Sequence, residues 1–386
     1  MINFVPRFKN DIAFLEILGD ATDNDNDYYV EFIDLNTNNV EYSSIIKINH
    51  WSQLSDISNK NILIRVTSNN DVVFERRQDQ KFDKVYIMLG SKSLGDNIAW
   101  IPYVEEYRKL NNVKVILYTV FNYLFDKVYS DIIFTSISNP DQINDVDKKF
   151  RIDYGPEFYI GDNSWHDIIK KYDNVIIDFD YRHSLQLIAP TILGLEKKEI
   201  VPKINIPDDK PKIKYKYVVV AIQSTAQLKY WNNPFGWERL FSFLDRNGYK
   251  VVLIDKHKNY GIFGHFNKAP KAKNVIDRTG NHPLSERIID IKYADMMITI
   301  SSGLAWVSWA IGTPVVLISG FTKPWLEFKS NCVRIHNPNV CNGCWNDPNI
   351  TYIADDWLFC PKNFDFICSK AILPKDVIDG VKKFMK

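Results

Sequence analysis

Four cysteines near the C-terminal end carry the most specific chemical spacing in this chain. Cys341 and Cys344 form a Cys-x-x-Cys pair; Cys360 follows after 15 intervening residues and Cys368 after seven more. Four thiols in this arrangement match the ligand count of a tetrahedral sulfur site, for which zinc or iron is the usual occupant. A closed site of that kind leaves no position for a substrate. Its expected role is structural, clamping a segment too short to build its own core. Buried thiols or a pair of disulfides are the plainer alternative. Cys332 stands outside the spacing and reads as a simple buried thiol.

Three polar loops supply the other candidates. Ser301-Ser302-Gly303-Leu304 ends an apolar strand and opens a helix. Exposed N–H groups at such a helix start, with the helix dipole behind them, suit a diphosphate; an ordinary capped helix looks the same in sequence. The stretch from Gln223 to Trp231 follows the apolar run beginning at Tyr217 and contains Ser224, Thr225, Lys229 and Trp231. Hydroxyls and a lysine there can hold phosphate oxygens, and a solvated loop anchored by its Trp is the competing reading. In Gly90-Ser91-Lys92-Ser93-Leu94-Gly95-Asp96-Asn97, Asp96 is either the N-cap carboxylate of a following helix or a general base aimed into a cleft. Neither a Walker A pattern nor a G-x-G-x-x-G fingerprint occurs, and the seven histidines form no H-E-x-x-H or other ligand-like cluster. A P-loop ATPase, a standard dinucleotide enzyme and a hydrolytic zinc centre are therefore not supported.

The elements that must position these loops are strands and helices of two kinds. Over the first 80 residues, Asp27–Asp34 pairs with Asn39–Ile46 and Asn61–Thr67 with Asp71–Arg76 across Asn/Asp/Ser turns, a hairpin pattern. From Lys84 onward, short continuous apolar strands alternate with helical stretches, the signature of a parallel sheet covered on both faces. Strands are expected at 85–89, 113–120 and Val175–Asp178, with helices near 97–109 and 184–195. A Pro- and charge-rich break at 201–216 precedes a second alternation: strands at 217–222, 250–255, 274–276, 296–300 and 315–318, helices at 235–247, 284–293 and 303–311. The predicted architecture is α/β with four parts: an N-terminal antiparallel β accessory domain (1–80), two Rossmann-like domains (81–205 and 206–330), and a C-terminal four-Cys metal motif with a helix (331–386). Ligands of such paired sheets bind at the strand C-terminal edges.

Composition narrows the function classes. With 386 residues, 45% of them hydrophobic and 25% charged, the chain is long enough for several packed cores and is neither fibrous nor disordered. Its net charge of +1 offers no global attraction to nucleic acid or anionic membranes, so any anion needs a local site. The residues around the cysteines include Asp347, Asp355, Asp356 and Asp365, which counts against a nucleic-acid-binding zinc ribbon. The longest apolar runs fall far short of the ~20 residues of a membrane helix, and no signal-peptide pattern opens the chain. A soluble, cytoplasmic protein is expected.

Taken together, Ser301 to Trp306 followed by Ala310-Ile311-Gly312-Thr313-Pro314-Val315-Val316 resembles the final nucleotide-binding segment of ADP-heptose glycosyltransferases, which have the two-domain glycosyltransferase B fold. Ser319-Gly320-Phe321, Glu327-Phe328, Cys341-Asn342-Gly343-Cys344-Trp345-Asn346-Asp347, Cys360-Pro361 and Cys368 further resemble the bacterial autotransporter heptosyltransferases. That resemblance implies inverting transfer of heptose from ADP-heptose to Ser or Thr hydroxyls of an autotransporter adhesin. It implies Asp96 as catalytic base, and Ser224, Thr225, Lys229 and Trp231 in the donor loop. It places Ser301, Ser302, Gly303 and Leu304 in the diphosphate turn. It implies one structural iron per chain on Cys341, Cys344, Cys360 and Cys368, with zinc as the alternative, and assembly into a homo-oligomer. A lipopolysaccharide-type heptosyltransferase, a relative without activity and a non-catalytic metal-containing scaffold are the rival readings.

Overall fold

Strand Tyr28–Asp34 shows how the N-terminal region folds. Tyr28, Val30 and Phe32 are buried while Tyr29 is exposed, the period-two alternation of a sheet with one wet face. In the computed structural model, which describes residues 3–9, 11–18, 26–79, 83–154, 171–173, 183–210, 213–224, 226–260, 267–347, 349–350 and 359–385, this strand sits inside a four-stranded antiparallel sheet. Its order is Asn39–Ile46, Tyr28–Asp34, Ile62–Ser68, Asp71–Arg77. A second antiparallel sheet runs Asn3–Lys9, Ile12–Leu18, His50–Ser55. Ala13, Leu15 and Ile17 of the smaller sheet share one core with Val30, Phe32, Ile64 and Val66 of the larger.

The following sheet is parallel throughout among the described residues, in the order Ile133–Thr135, Lys114–Tyr118, Lys84–Leu89, Lys148–Ile152. Counted along the chain, that is 3-2-1-4. Direction of growth reverses between Lys84–Leu89 and Lys148–Ile152, so their C-terminal edges form the crevice in which open α/β sheets place ligands. The expected strand Val175–Asp178 lies outside the described residues. The 184–195 stretch contains a short 3-10 turn, Leu185–Leu187, running into helix Ile188–Leu193, which stops at Gly194 in the left-handed region. The proline-rich connection is tied to the first sheet's layer rather than loose: Pro202 and Ile204 are buried, and the Asn205 N–H donates to the Leu124 carbonyl.

A six-stranded parallel sheet follows, in the order Val275–Asp277, Lys250–Leu253, Tyr217–Ala221, Met297–Ile300, Val315–Ile318, Cys332–Ile335. This is the doubly wound 3-2-1-4-5-6 order, with its reversal between Tyr217–Ala221 and Met297–Ile300. Every residue of those two strands is buried, as a sheet covered on both faces requires. The C-terminal helix Pro374–Lys382 lays Val377 and Val381 on the same core.

The two parallel sheets meet through helix ends. Helix Leu94–Asn111, after the first strand of one sheet, and helix Gly303–Ala310, after the fourth strand of the other, abut at their N-termini. A Cβ added at Gly95 would lie 2.8 Å from Trp306 Cδ1, and one at Gly303 would lie 3.2 Å from the Gly95 backbone nitrogen. Only glycines permit this approach. Around it Trp100, Trp306, Trp309, Phe328 and Trp345 belong to one continuous core spanning both sheets. Gly95→Ala forces Trp306 to move, and overpacking of this kind costs about 1–3 kcal/mol. Differential scanning calorimetry should show a lower Tm at unchanged far-UV circular dichroism; an unaltered Tm would mean the seam yields freely.

Candidate active site

The loop after strand Lys84–Leu89 is built to hold one carboxylate. Asn97, fully buried, donates through Nδ2 to the Ser91 and Ser93 carbonyls, each at 2.8 Å, and accepts from Thr119 Oγ1 at 2.5 Å. The loop so pinned turns Ser91 Oγ onto Asp96 Oδ2 at 2.5 Å, while the same Oγ accepts the Ser93 N–H at 3.0 Å. Ser93, with extended φ and ψ, occupies the N-cap position of the helix. Asp96 is therefore a first-turn residue, and its carboxylate is used on side chains instead of capping.

Tyr154 and Asp153 approach Asp96 from the strand across the sheet's reversal point. The Tyr154 side chain hydrogen-bonds the Asp96 carboxylate, and Asp153 adds a second negative charge nearby. Asp153 is paired with Arg151 at 2.8 Å and is packed so closely under Gly90 that a Cβ there would lie 2.2 Å from its Oδ2. From the other sheet comes Lys229, whose ammonium acts on both Asp96 and Glu327. Burial pushes Asp96 up to about 6, against the pull of Ser91, Tyr154 and Lys229. Burial drives Lys229 the opposite way, downward, and the two carboxylates hold it up.

The second sheet contributes the turn after Met297–Ile300. Ser302 is the N-cap of helix Gly303–Ala310, with its Oγ 3.5 Å from Thr299 Oγ1 and no side-chain cap bond. The first-turn N–H groups, from Gly303 and Leu304 onward, are those a helix leaves without intrahelical acceptors. Ser301 is buried and donates to Glu327 Oε1, which Thr322 Oγ1 also reaches at 3.4 Å. Glu327 Oε2 lies 2.6 Å from Arg334 Nη2. The loop bearing Ser224 is held by Asp255, which accepts the Ile222 and Gln223 N–H groups at 3.0 and 2.9 Å and is itself pushed up to about 6 by burial. Ser224 presents its carbonyl to the Tyr230 hydroxyl at 3.0 Å.

Asp96, Lys229 and the Ser301–Leu304 turn are thus brought to one seam between the sheets, with Ser224 on the adjoining loop. Thr225 lies outside the described residues. Trp231 corrects the sequence reading. Its ring is buried against Trp237, centroids 5.0 Å apart, and its Nε1–H donates to the Ile372 carbonyl at 2.9 Å. The side chain fastens the second sheet's layer to the C-terminal segment instead of facing the seam. Tyr154, Asp153, Asp255 and Ser91 were not singled out in sequence as site residues; Ser91 lay within the Gly90–Asn97 loop, but the others carry no local motif.

All five cysteines are free thiols. Cys341, Cys344, Cys360 and Cys368 form one neighbourhood: the other three thiols act on Cys368, and Cys341 and Cys360 act on Cys344, which with burial pushes Cys344 up to about 11 and Cys368 up to about 12. Gly343, at φ +73°, makes the turn within the Cys-x-x-Cys pair, and the Phe364 N–H donates to Cys360 Sγ at 3.3 Å. Ligand type, mutual proximity and N–H···S bonding fit a cation held by thiolates. Among the described residues no group of three or more His, Cys, Asp or Glu side chains is closed to metal-binding distance.

The weakened acidity of Asp96 has a thermodynamic sign. A carboxyl whose folded value, about 6, exceeds its unfolded value of about 3.9 destabilises the fold once ionised, so stability falls as pH rises between those values. Asp96→Asn should therefore raise the Tm at about pH 7.5, by an energy on the order of 2 kcal/mol, with the gap narrowing toward pH 5. Calorimetry at both pH values checks this; a gap independent of pH would mean that Asp96 is not a strained carboxylate.

Residues 170–342 match glycosyltransferase family 9 (heptosyltransferase). The autotransporter heptosyltransferase Aah of Escherichia coli is 35% identical over 304 residues, 77% of this chain and 73% of the relative. BimC of Burkholderia thailandensis, an inactive autotransporter heptosyltransferase, is 28% identical over 313 residues, 78% of this chain and 68% of its own. Among solved structures, TibC from enterotoxigenic E. coli H10407, an iron-containing dodecameric glycosyltransferase, superposes with a TM-score of 0.74 at 26% identity, covering 99% of this chain and 95% of its own. A second TibC structure, in complex with ADP-D-β-D-heptose, gives a TM-score of 0.72 at the same identity and coverage. With a glycosyltransferase B fold, a carboxylate and a lysine meeting at its seam, and relatives of this similarity, the chain belongs to the autotransporter heptosyltransferases, glycosyltransferases of family 9.

Proposed function

We propose that the protein transfers heptose from ADP-heptose, with inversion, to a Ser or Thr hydroxyl of an autotransporter adhesin. The observation that carries this reading is the meeting of Asp96 with Lys229 where the two helix N-termini abut. An alcohol is a poor nucleophile at neutral pH because it holds its proton. A carboxylate near 6 is ionised there yet basic enough to accept that proton, and general-base assistance supplies about 10²- to 10⁴-fold in rate. The acceptor oxygen bonds to the anomeric carbon as the bond from that carbon to the phosphate oxygen breaks. The hydroxyl proton goes to Asp96, and ADP leaves with the electron pair. One in-line displacement inverts the anomeric centre.

ADP gains negative charge as it leaves. Lys229 and the N–H groups after Ser302 stand in place beforehand, which is where electrostatic stabilisation is effective. Ser224 and Thr225 extend the donor loop. Cys341, Cys344, Cys360 and Cys368 hold the structural iron in this reading, and the metal's contribution is to close the C-terminal segment on itself. Assembly into a homo-oligomer and a cytoplasmic location belong to the same reading; no helix among the described residues is long and apolar enough to cross a membrane. A catalytically silent donor-binding protein is the competing reading, since one relative is inactive.

Incubating the purified protein with a panel of nucleotide sugars and a candidate adhesin, then weighing the intact acceptor, should show a heptose increment from ADP-heptose alone. No added mass with any donor would leave the silent reading. Asp96→Asn should abolish transfer while ADP affinity stays within a few-fold, and near-normal turnover would remove Asp96 as base. Lys229→Ala should lower kcat/KM for ADP-heptose by about 10²-fold, the scale of one lost stabilising charge or donor. Cys344→Ser should cost bound iron and soluble yield together; a metal-free, fully active variant would make the cluster dispensable.

A further inference from the structure

The cysteine-bearing segment touches the first sheet at a point that bears on the chemistry. Trp345, next to Cys344, packs edge-to-face on Tyr154, with centroids 6.0 Å apart and planes at 86°. Tyr154 in turn packs on Trp100, at 5.7 Å and 66°. Trp100 lies four residues after Asp96 in the same helix, hence on the same face. Both Trp345 and Tyr154 are buried; the Trp345 backbone N–H donates to the Phe321 carbonyl at 3.1 Å, and its ring packs on Phe321 with centroids 5.9 Å apart. The Tyr154 ring is therefore clamped between an indole from each side of the seam, with its hydroxyl on the carboxylate of Asp96.

We propose that Tyr154 is a positioning residue for the transfer reaction, and that the cysteine segment acts on the chemistry through Trp345, which holds the Tyr154 hydroxyl on Asp96. The inference rests on Asp96 being the base. Two consequences follow from the donor role of the phenol. It orients the carboxylate, whose Oδ2 the Ser91 hydroxyl also holds. It also stabilises the ionised form, so its loss moves the base toward the protonated state at a given pH. The groups facing Asp96 are Ser91 from its own loop, Tyr154 and Asp153 from the neighbouring strand end, and Lys229 from the second sheet. Asp153 is paired with Arg151 at 2.8 Å, and neither Tyr154→Phe nor Trp345→Leu removes the Ser91 hydroxyl or the Lys229 ammonium that act on Asp96. The acid limb of the pH profile is thus the specific readout.

The test is the pH dependence of kcat/KM for heptose transfer from ADP-heptose by wild type, Tyr154→Phe, Trp345→Leu and Trp345→Phe, with Asp96→Asn alongside and iron measured in each. Removing one hydrogen bond to a carboxylate should move the acid limb of Tyr154→Phe upward by about one pH unit, a tenfold loss of kcat/KM on that limb, with KM for ADP-heptose changed less than about twofold. Trp345→Leu should show the same displacement with wild-type iron content, and Trp345→Phe, which keeps a ring against Tyr154, should largely restore the profile. Superimposable profiles for wild type and Tyr154→Phe would overturn the inference while Asp96→Asn remained inactive. A displaced profile in Tyr154→Phe but not in Trp345→Leu would overturn the link to the cysteine segment. An active Asp96→Asn would overturn the base and the inference together.

Discussion

Two helices meet end to end across the seam of this enzyme, and both present their N-termini. Each end carries about half a positive charge from its aligned peptide dipoles. Bringing two such ends together costs Coulomb energy, and Gly95 and Gly303 remove the side chains that would have kept them apart. The arrangement is tolerable only with negative charge close by. Asp96 supplies it from the first helix and Glu327 from the loop beside the second, and Lys229 sits between them. A diphosphate adds two more charges of the favoured sign. The geometry that makes the seam electrostatically demanding is the same geometry that favours an anionic group there.

Burial then gives the carboxylate its chemistry. An exposed aspartate is a weak base at neutral pH; Asp96 is moved toward neutrality because the packed tryptophans exclude water, and three partners stop it from going further. The groups that favour the charged Asp96 come from three segments distant in sequence: the Ser91 hydroxyl before the helix, Tyr154 after the fourth strand, and the charge of Lys229 from the other sheet. No single element sets its acidity. The aromatic column running from Trp100 through Tyr154 to Trp345 and Phe321 carries that packing from the first sheet into the cysteine segment. The segment bearing Cys344 is in this way contiguous with the packing around Asp96.

Much of the strand and helix alternation was legible because buried parallel strands write continuous apolar runs, as in Tyr217–Ala221 and Val315–Ile318, whereas Ile133–Thr135, Lys148–Ile152 and Cys332–Ile335 write none and were not expected. The loops holding Asp96, Lys229 and Ser302 stand immediately after such strands, so a local pattern was enough to find them. Trp231 shows the limit. An indole beside a polar loop can turn to either side of the sheet, and its neighbours in sequence are the same in both cases; packing on Trp237 and the bond to the Ile372 carbonyl decided it. Tyr154 and Asp153 are single polar residues at a strand end, a composition found in many loops. The amino-acid order by itself determined the apolar strands, their polar exits and the thiol spacing, since each is set by residues within a few positions of one another, while the strand order and the amphipathic strand Lys148–Ile152 were not written there. Which carboxylate is desolvated, which phenol reaches it and which helix ends collide were decided only by the tertiary structure, because burial and charge coupling belong to pairs of segments that the chain brings together from far apart.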